Sequence, residues 1–166
     1  MHASLPDANT LITRLADAIA PTLTPETLIV GIHTGGVWVA ERLHGLLKCS
    51  LPLGMLDISF YRDDFSRIGL HPEAKPSNIP FEVEGRDILL IDDVLYTGRT
   101  VRAAMNLVFD YGRPASLTLA VLVDRGGREL PVCARYAGAV LDVGQHVSLV
   151  RDPAGRFELM LKGEAT

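Results

Sequence analysis

The sequence holds only two cysteines, Cys49 and Cys133, among its 166 residues. They stand far apart and form no CxxC or Cys/His spacing. Neither a disulfide framework nor a zinc knot is expected, and both read as small apolar fillers in a reducing compartment. No apolar run approaches the roughly 18 residues needed to cross a bilayer. The N-terminal stretch MHASLPDANTLITRL places Asp7 and polar residues where a signal peptide requires a basic start and an apolar block. A cytoplasmic protein with no membrane partner is therefore expected. Lysine is scarce, with only Lys48, Lys75 and Lys162, and sixteen basic side chains face twenty acidic ones for a net charge of −4. That balance argues against an obligate nucleic-acid binder, while a local basic face stays open.

What is present describes one folded unit. Hydrophobic residues make up 48% and charged residues 22%, and the mean hydropathy is +0.21, which excludes a disordered chain. A single domain spanning residues 1–166 is the expectation. Residues 8–20 place Leu11, Leu15, Ala18 and Ile19 at helical spacing, with Asp7 as N-cap and Pro21 past the end. TLIVGI at 27–32 is a continuous apolar run, the mark of a strand buried on both faces. After Gly35 and Gly36, the segment VWVAERLHGLLK repeats Val37, Ala40, Leu43 and Leu47 at helical intervals. Residues 53–61 and 88–91 read as further strands, 101–111 as a helix closed by Gly112 and Pro114, and 116–123 as another strand. The alternation predicts an α/β fold, a parallel sheet flanked by helices. The tail differs: 140–143, 146–150 and 157–161 read as short strands between Gly or Pro turns, a β-rich end.

The chemistry concentrates in RDILLIDDVLYTGRT, residues 86–100. Four apolar residues run into two adjacent acids, Asp92 and Asp93. Two carboxylates at the mouth of a buried strand need a metal ion or hydroxyl donors to compensate them. Thr97, Gly98, Arg99 and Thr100 then open a helix, whose N–H groups at the positive end of the dipole, with two threonine hydroxyls, form a phosphate cradle. Together they suit a sugar phosphate lying along one loop. The order is neither that of a P-loop nor of a dinucleotide turn. A second loop, His33-Thr34-Gly35-Gly36, also follows a buried strand and opens a helix, where two glycines let backbone approach an anion. Residues 62–85, rich in proline and mixed charge, form an uninterrupted excursion of the length typical of a mobile lid.

Residues 88–100 resemble the phosphoribosyl-pyrophosphate (PRPP) binding motif of type I phosphoribosyltransferases. DDVLYTGRTVRAAM, together with YRDD, GRP and LAVLVDRGGRELP, resembles the pyrimidine operon attenuation regulator/uracil phosphoribosyltransferase family. The resemblance spans residues 28–132. It implies the type I phosphoribosyltransferase fold, with a flap near 62–85, and the reaction uracil plus PRPP to UMP and pyrophosphate. It implies that PRPP is bound by Ile88, Leu89, Leu90, Ile91, Asp92, Asp93, Val94, Leu95, Tyr96, Thr97, Gly98, Arg99 and Thr100. In that reading Asp92 and Asp93 hold the ribose hydroxyls, and residues 96–100 cradle the 5-phosphate. Thr34, Gly35 and Gly36 would form the pyrophosphate loop, with a cis peptide between Thr34 and Gly35. Arg62, Asp63, Asp64 and Arg67 would belong to the flap, with Arg67 assisting catalysis and Lys75 a lesser candidate. Val123, Asp124, Arg125 and Arg128 would line the base, although Asp124 and Arg125 can equally pair with each other. Mg²⁺ is the implied cofactor, held mainly through PRPP.

Two departures stand out: well-known members of the family carry arginine at the position of Gly35, and histidine is frequent at that of Gly127. The resemblance also implies a homodimer or larger homo-oligomer, and a second activity, UMP-responsive binding of pyrimidine leader RNA. The sequence supports that second activity thinly, since AGAVLDVGQHVSLV is nearly free of basic residues and only Arg14, Arg135 and Arg151 stand ready. A regulator with little transferase activity, a transferase for another base, and an inactive relative remain alternatives. No Ser/His/Asp or Cys/His arrangement supports a hydrolase.

Overall fold

The computed structural model describes residues 4–59 and 77–163. Arg62, Asp63, Asp64, Arg67 and Lys75 lie outside the described residues, as does the far end of the strand expected at 53–61. Helix α1 (Ala8–Ile19) is capped as expected: the Asp7 carboxylate accepts from the Thr10 amide at 2.8 Å. It runs into a short 3-10 turn over Ala20–Thr22 that holds Pro21. Strand β1 (Leu28–Ile32) leads into α2 (Gly35–Leu46), and then comes β2 (Gly54–Leu56). Strand β3 (Asp87–Leu95) feeds α3 (Arg99–Tyr111), β4 (Ser116–Asp124) and β5 (Tyr136–Val140). A hairpin of β6 (His146–Arg151) and β7 (Phe157–Lys162) closes the chain.

β2, β1, β3, β4 and β5 form one parallel sheet in that order, while β6 and β7 pair antiparallel on their own. The sheet is covered on both faces, which is why its strands read as unbroken apolar runs. Ile29, Leu89 and Ile91 pack with α1, α2 and the hairpin through Leu11, Leu15, Ala40, Leu43, Val147 and Leu159. Leu28, Val30, Ile88 and Leu90 face the other way, onto Val101, Ala104, Leu107 and Val108 of α3. Alternate residues thus feed two cores.

Three boundaries differ from expectation. β2 stops at Leu56 because Asp57, 7% exposed, turns the chain: its carboxylate accepts from the Ser59 amide at 2.9 Å, and its own amide donates to Ser77 Oγ. β3 does not end at Ile91 but carries both acids inside the strand, still in register with β4 at Leu95 opposite Asp124. The strand expected at 140–143 sits earlier, at Tyr136–Val140, and joins the main sheet rather than a separate tail. Its small residues admit α1, since a Cβ on Gly138 would stand 3.2 Å from that of Leu11. Of the excursion expected at 62–85, only residues 77–85 are described. Asn78 exchanges backbone hydrogen bonds with Met55, both at 2.8 Å, and Val83 is buried against α3.

Candidate functional site

The carboxyl ends of β1, β3 and β4 meet at a cavity of about 300 Å³, where ligands of open parallel sheets bind. Its floor is the run from Asp92 to Gly98 with Thr100, one wall is His33, Thr34 and Gly35, and Arg125 stands at the β4 side. Asp92 is 4% exposed and accepts the Asp93 amide at 2.9 Å. The Asp93 carboxylate lies beside the loop after β1. A Cβ on Gly35 would stand 2.2 Å from Asp93 Oδ2, and one on Gly36 would stand 2.7 Å from the Ile91 carbonyl oxygen. Glycine is required there because two site segments touch. An arginine at position 35 has room only if the Asp93 side chain moves.

Two helices begin at this cavity, both earlier than expected. α2 starts at Gly35 with Thr34 as cap residue, α3 at Arg99 with Gly98, and neither cap residue closes its helix with a side-chain bond. Gly98 takes φ +93°, a left-handed conformation that glycine adopts freely. Neither helix has an acid in its first turn, so two positive helix ends face one cavity, the arrangement that binds anions. The Arg99 amide leans on Thr97 Oγ at 3.2 Å. The peptide bond between His33 and Thr34 is cis, one position before the one the resemblance implied.

The other expected residues divide. Ile88, Leu89, Leu90 and Ile91 are core, each at most 3% exposed, and support the acids from below. Arg99 pairs with Glu129 at 2.8 Å on the surface. Gly36 lies just behind the cavity wall, against β3. Val123 is fully buried in β4 and contributes to the core. Asp124 pairs with Arg128 at 2.6 Å, not with Arg125. Burial pushes the Asp124 carboxyl up, but hydrogen bonds from Arg128 and the Gly126 amide, with the Arg128 charge, outweigh it and hold it below its ordinary 3.8. The pair therefore stays charged through the neutral range and loosens only as pH falls through that lowered value. Of the four residues expected at the base, Arg125 alone lines the cavity. It is 9% exposed, its Nε is buried without a partner among the described residues, and its guanidinium lies 3.9 Å from the Tyr96 ring centroid.

Four lining residues escaped the sequence: Val101 in the first turn of α3, and His146, Val147 and Ser148 of β6, which reaches over β3 from the far end of the chain. Ser148 Oγ is buried and without a partner among the described residues. The donors at the acidic pair are all oxygens, the type that a hard cation such as Mg²⁺ accepts. Among the described residues no group of three or more His, Cys, Asp or Glu side chains could hold a metal alone, so the acids fit Mg²⁺ shared with a ligand's own oxygens. Among the same residues, no helix is long and apolar enough to cross a membrane.

An acidic pair between two open helix ends, on the carboxyl edge of a parallel sheet, is the construction of a phosphoribosyltransferase. The chain belongs to that family, matching the phosphoribosyl transferase domain over residues 4–147. It is 58% identical over 135 residues to Bifunctional protein PyrR of Nitrosococcus oceani, covering 80% of this chain and 76% of that one. It is 51% identical over 147 residues to Bifunctional protein PyrR of Pseudomonas fluorescens, covering 86% and 88%. The fold is shared with a hypoxanthine-guanine phosphoribosyltransferase of Bacillus anthracis at a TM-score of 0.67 and 19% identity, over 86% of this chain and 85% of that one. A hypoxanthine phosphoribosyltransferase of Staphylococcus aureus gives 0.66 at 20% identity, over 89% and 81%.

Proposed function

We propose that this protein transfers the phosphoribosyl group of PRPP to uracil, forming UMP and pyrophosphate, and that it also binds pyrimidine leader RNA in response to UMP. The observation that carries the transferase is the pair of open helix ends flanking Asp92 and Asp93. The 5-phosphate sits at the start of α3 among Thr97, Gly98 and Thr100. The ribose hydroxyls donate to Asp92 and Asp93, and the pyrophosphate lies against Thr34, Gly35 and the amides opening α2. Arg125 faces the base. In the reaction the bond from ribose C1 to the pyrophosphate oxygen breaks, the bond to uracil N1 forms, and the N1 proton is lost.

Positive charge gathers on the ribose as pyrophosphate departs. The carboxylates of Asp92 and Asp93 stabilise it, and the amides of the α2 end stabilise the leaving group. Asp92 and Asp93, together with PRPP itself, would hold Mg²⁺, which would supply further neutralisation of the pyrophosphate. Arg62 and Arg67 belong to the same proposal as cations at the leaving group. No side chain needs to form a covalent bond.

The test is pyrophosphate release from PRPP and Mg²⁺ across a panel of bases. Turnover with uracil, and none with hypoxanthine, guanine or orotate, is expected; turnover with none of them overturns the transferase. The RNA activity rests on the relatives' description as bifunctional and on three exposed arginines, Arg14, Arg135 and Arg151, the last two lying over the rings of Tyr136 and Trp38. Binding of a pyrimidine leader RNA is expected to tighten with UMP and weaken steeply with salt. No binding at low salt would remove this half of the proposal.

A further inference from the structure

Arg128 was expected at the base, yet its side chain is committed elsewhere. Nη1 donates to the Tyr96 carbonyl at 2.7 Å and to that of Gly126 at 3.3 Å, Nη2 to Asp124 Oδ2 at 2.6 Å, and Nε to the Val132 carbonyl at 2.9 Å. The fork of a guanidinium suits this use, since it offers several donors in one fixed plane. The acceptors lie on two different loops, the one after β3 that forms the phosphate cradle and the one after β4 that carries Arg125.

Other bonds join the same two loops. The amides of Glu129 and Leu130 both donate to the Thr97 carbonyl at 3.0 Å, and the Arg125 amide donates to that of Leu95 at 3.1 Å. The Tyr96 ring fills the space over Gly127, where a Cβ would stand 2.3 Å from Tyr96 Cε2, and the Arg125 guanidinium lies over the same ring. Histidine at position 127 has no place in this arrangement. The peptide units of 95–97 thus face the cavity as part of the cradle and offer their carbonyls to the base loop.

We propose that Arg128 is a positioning residue that makes the base half of the site depend on occupancy of the phosphate half. A phosphate fixing residues 97–100 also fixes the Tyr96 and Thr97 carbonyls. Arg128 passes that constraint to Asp124 and Gly126, and so holds Arg125 in the orientation that meets the base. The inference rests on PRPP as the ligand, and coupling of this kind between two ligands is commonly worth about 5–150-fold in affinity.

Hydrogen exchange by mass spectrometry, with PRPP and Mg²⁺ added to the whole protein, tests it. In the wild type PRPP slows exchange both at 97–102 and at 125–132. In Arg128→Gln the first protection remains, the second falls at least about fivefold, and the KM for uracil at saturating PRPP rises about tenfold. The Kd for PRPP alone stays within about twofold and kcat within about threefold. Asp124→Asn, which frees one arm of the guanidinium while leaving it in place, gives a smaller change in the same direction, and Arg128→Lys does not restore the wild-type KM. Protection at 97–102 without protection at 125–132 in the wild type overturns the coupling and leaves the transferase standing. Absence of both overturns the PRPP site itself. Arg128 variants that lose stability while the uracil KM and PRPP affinity hold, or that change both ligands' constants equally, reduce Arg128 to a structural tie.

Discussion

Asp93→Asn is expected to lower kcat/KM for PRPP about 100-fold, a loss of roughly 2.7 kcal/mol, with little change in melting temperature. Asparagine keeps the shape of the side chain and removes its charge. A hydrogen bond to a charged group contributes about 1.5–3 kcal/mol, and the same negative charge stabilises the positive charge that develops on the ribose. Asp93 is the half-buried member of the pair and lines the cavity directly. Asp92 is almost fully buried and its carboxylate holds the Asp93 amide, so Asp92→Asn is expected to affect both the fold and the reaction. Steady-state kinetics with PRPP varied, beside a thermal melt, separates the two. Activity of Asp93→Asn within threefold of wild type would remove Asp93 from the ribose site.

Gly35→Ala and Gly36→Ala are expected to fail in opposite ways. A methyl on Gly35 would stand 2.2 Å from Oδ2 and 2.6 Å from Cγ of Asp93. The carboxylate is the mobile end of a side chain and rotates away, so PRPP use falls about 100-fold while stability is nearly kept. A methyl on Gly36 instead meets the Ile91 carbonyl oxygen at 2.7 Å and the Asp92 Cα at 3.0 Å. These are backbone atoms of the central strand and cannot step aside. Overpacking of this kind costs about 1–3 kcal/mol, which for a protein of this size lowers the melting temperature by about 2–12 °C. Kinetics and melts of both variants check this. A stable, active Gly35→Ala protein would contradict the contact between the loop after β1 and Asp93.

The sheet was legible because alternate residues of β1 and β3 face two covered faces, and that leaves continuous apolar runs in the sequence. The helix opening at the cavity was legible because Thr97, Gly98 and Thr100 follow a strand directly. The position of the acids was less so. Asp92 and Asp93 read as the end of a strand, whereas pairing with β4 carries β3 on to Leu95. Side-chain spacing also could not tell Arg125, turned to the cavity beneath Tyr96, from Arg128, turned to backbone carbonyls three residues later. His146 and Ser148 carried no local signal, because their place in the site depends on β6 packing against a strand some fifty residues earlier. Gly35 looked like a lost cation, and the structure places the Asp93 carboxylate where a side chain there would begin.

A crystal structure of the protein with bound UMP tests the site most directly. The phosphate is expected at Thr97, Gly98 and Thr100, the ribose hydroxyls on Asp92 and Asp93, and the uracil ring toward Arg125. UMP bound with its phosphate away from the start of α3, or its ribose away from the acidic pair, would contradict the assignment.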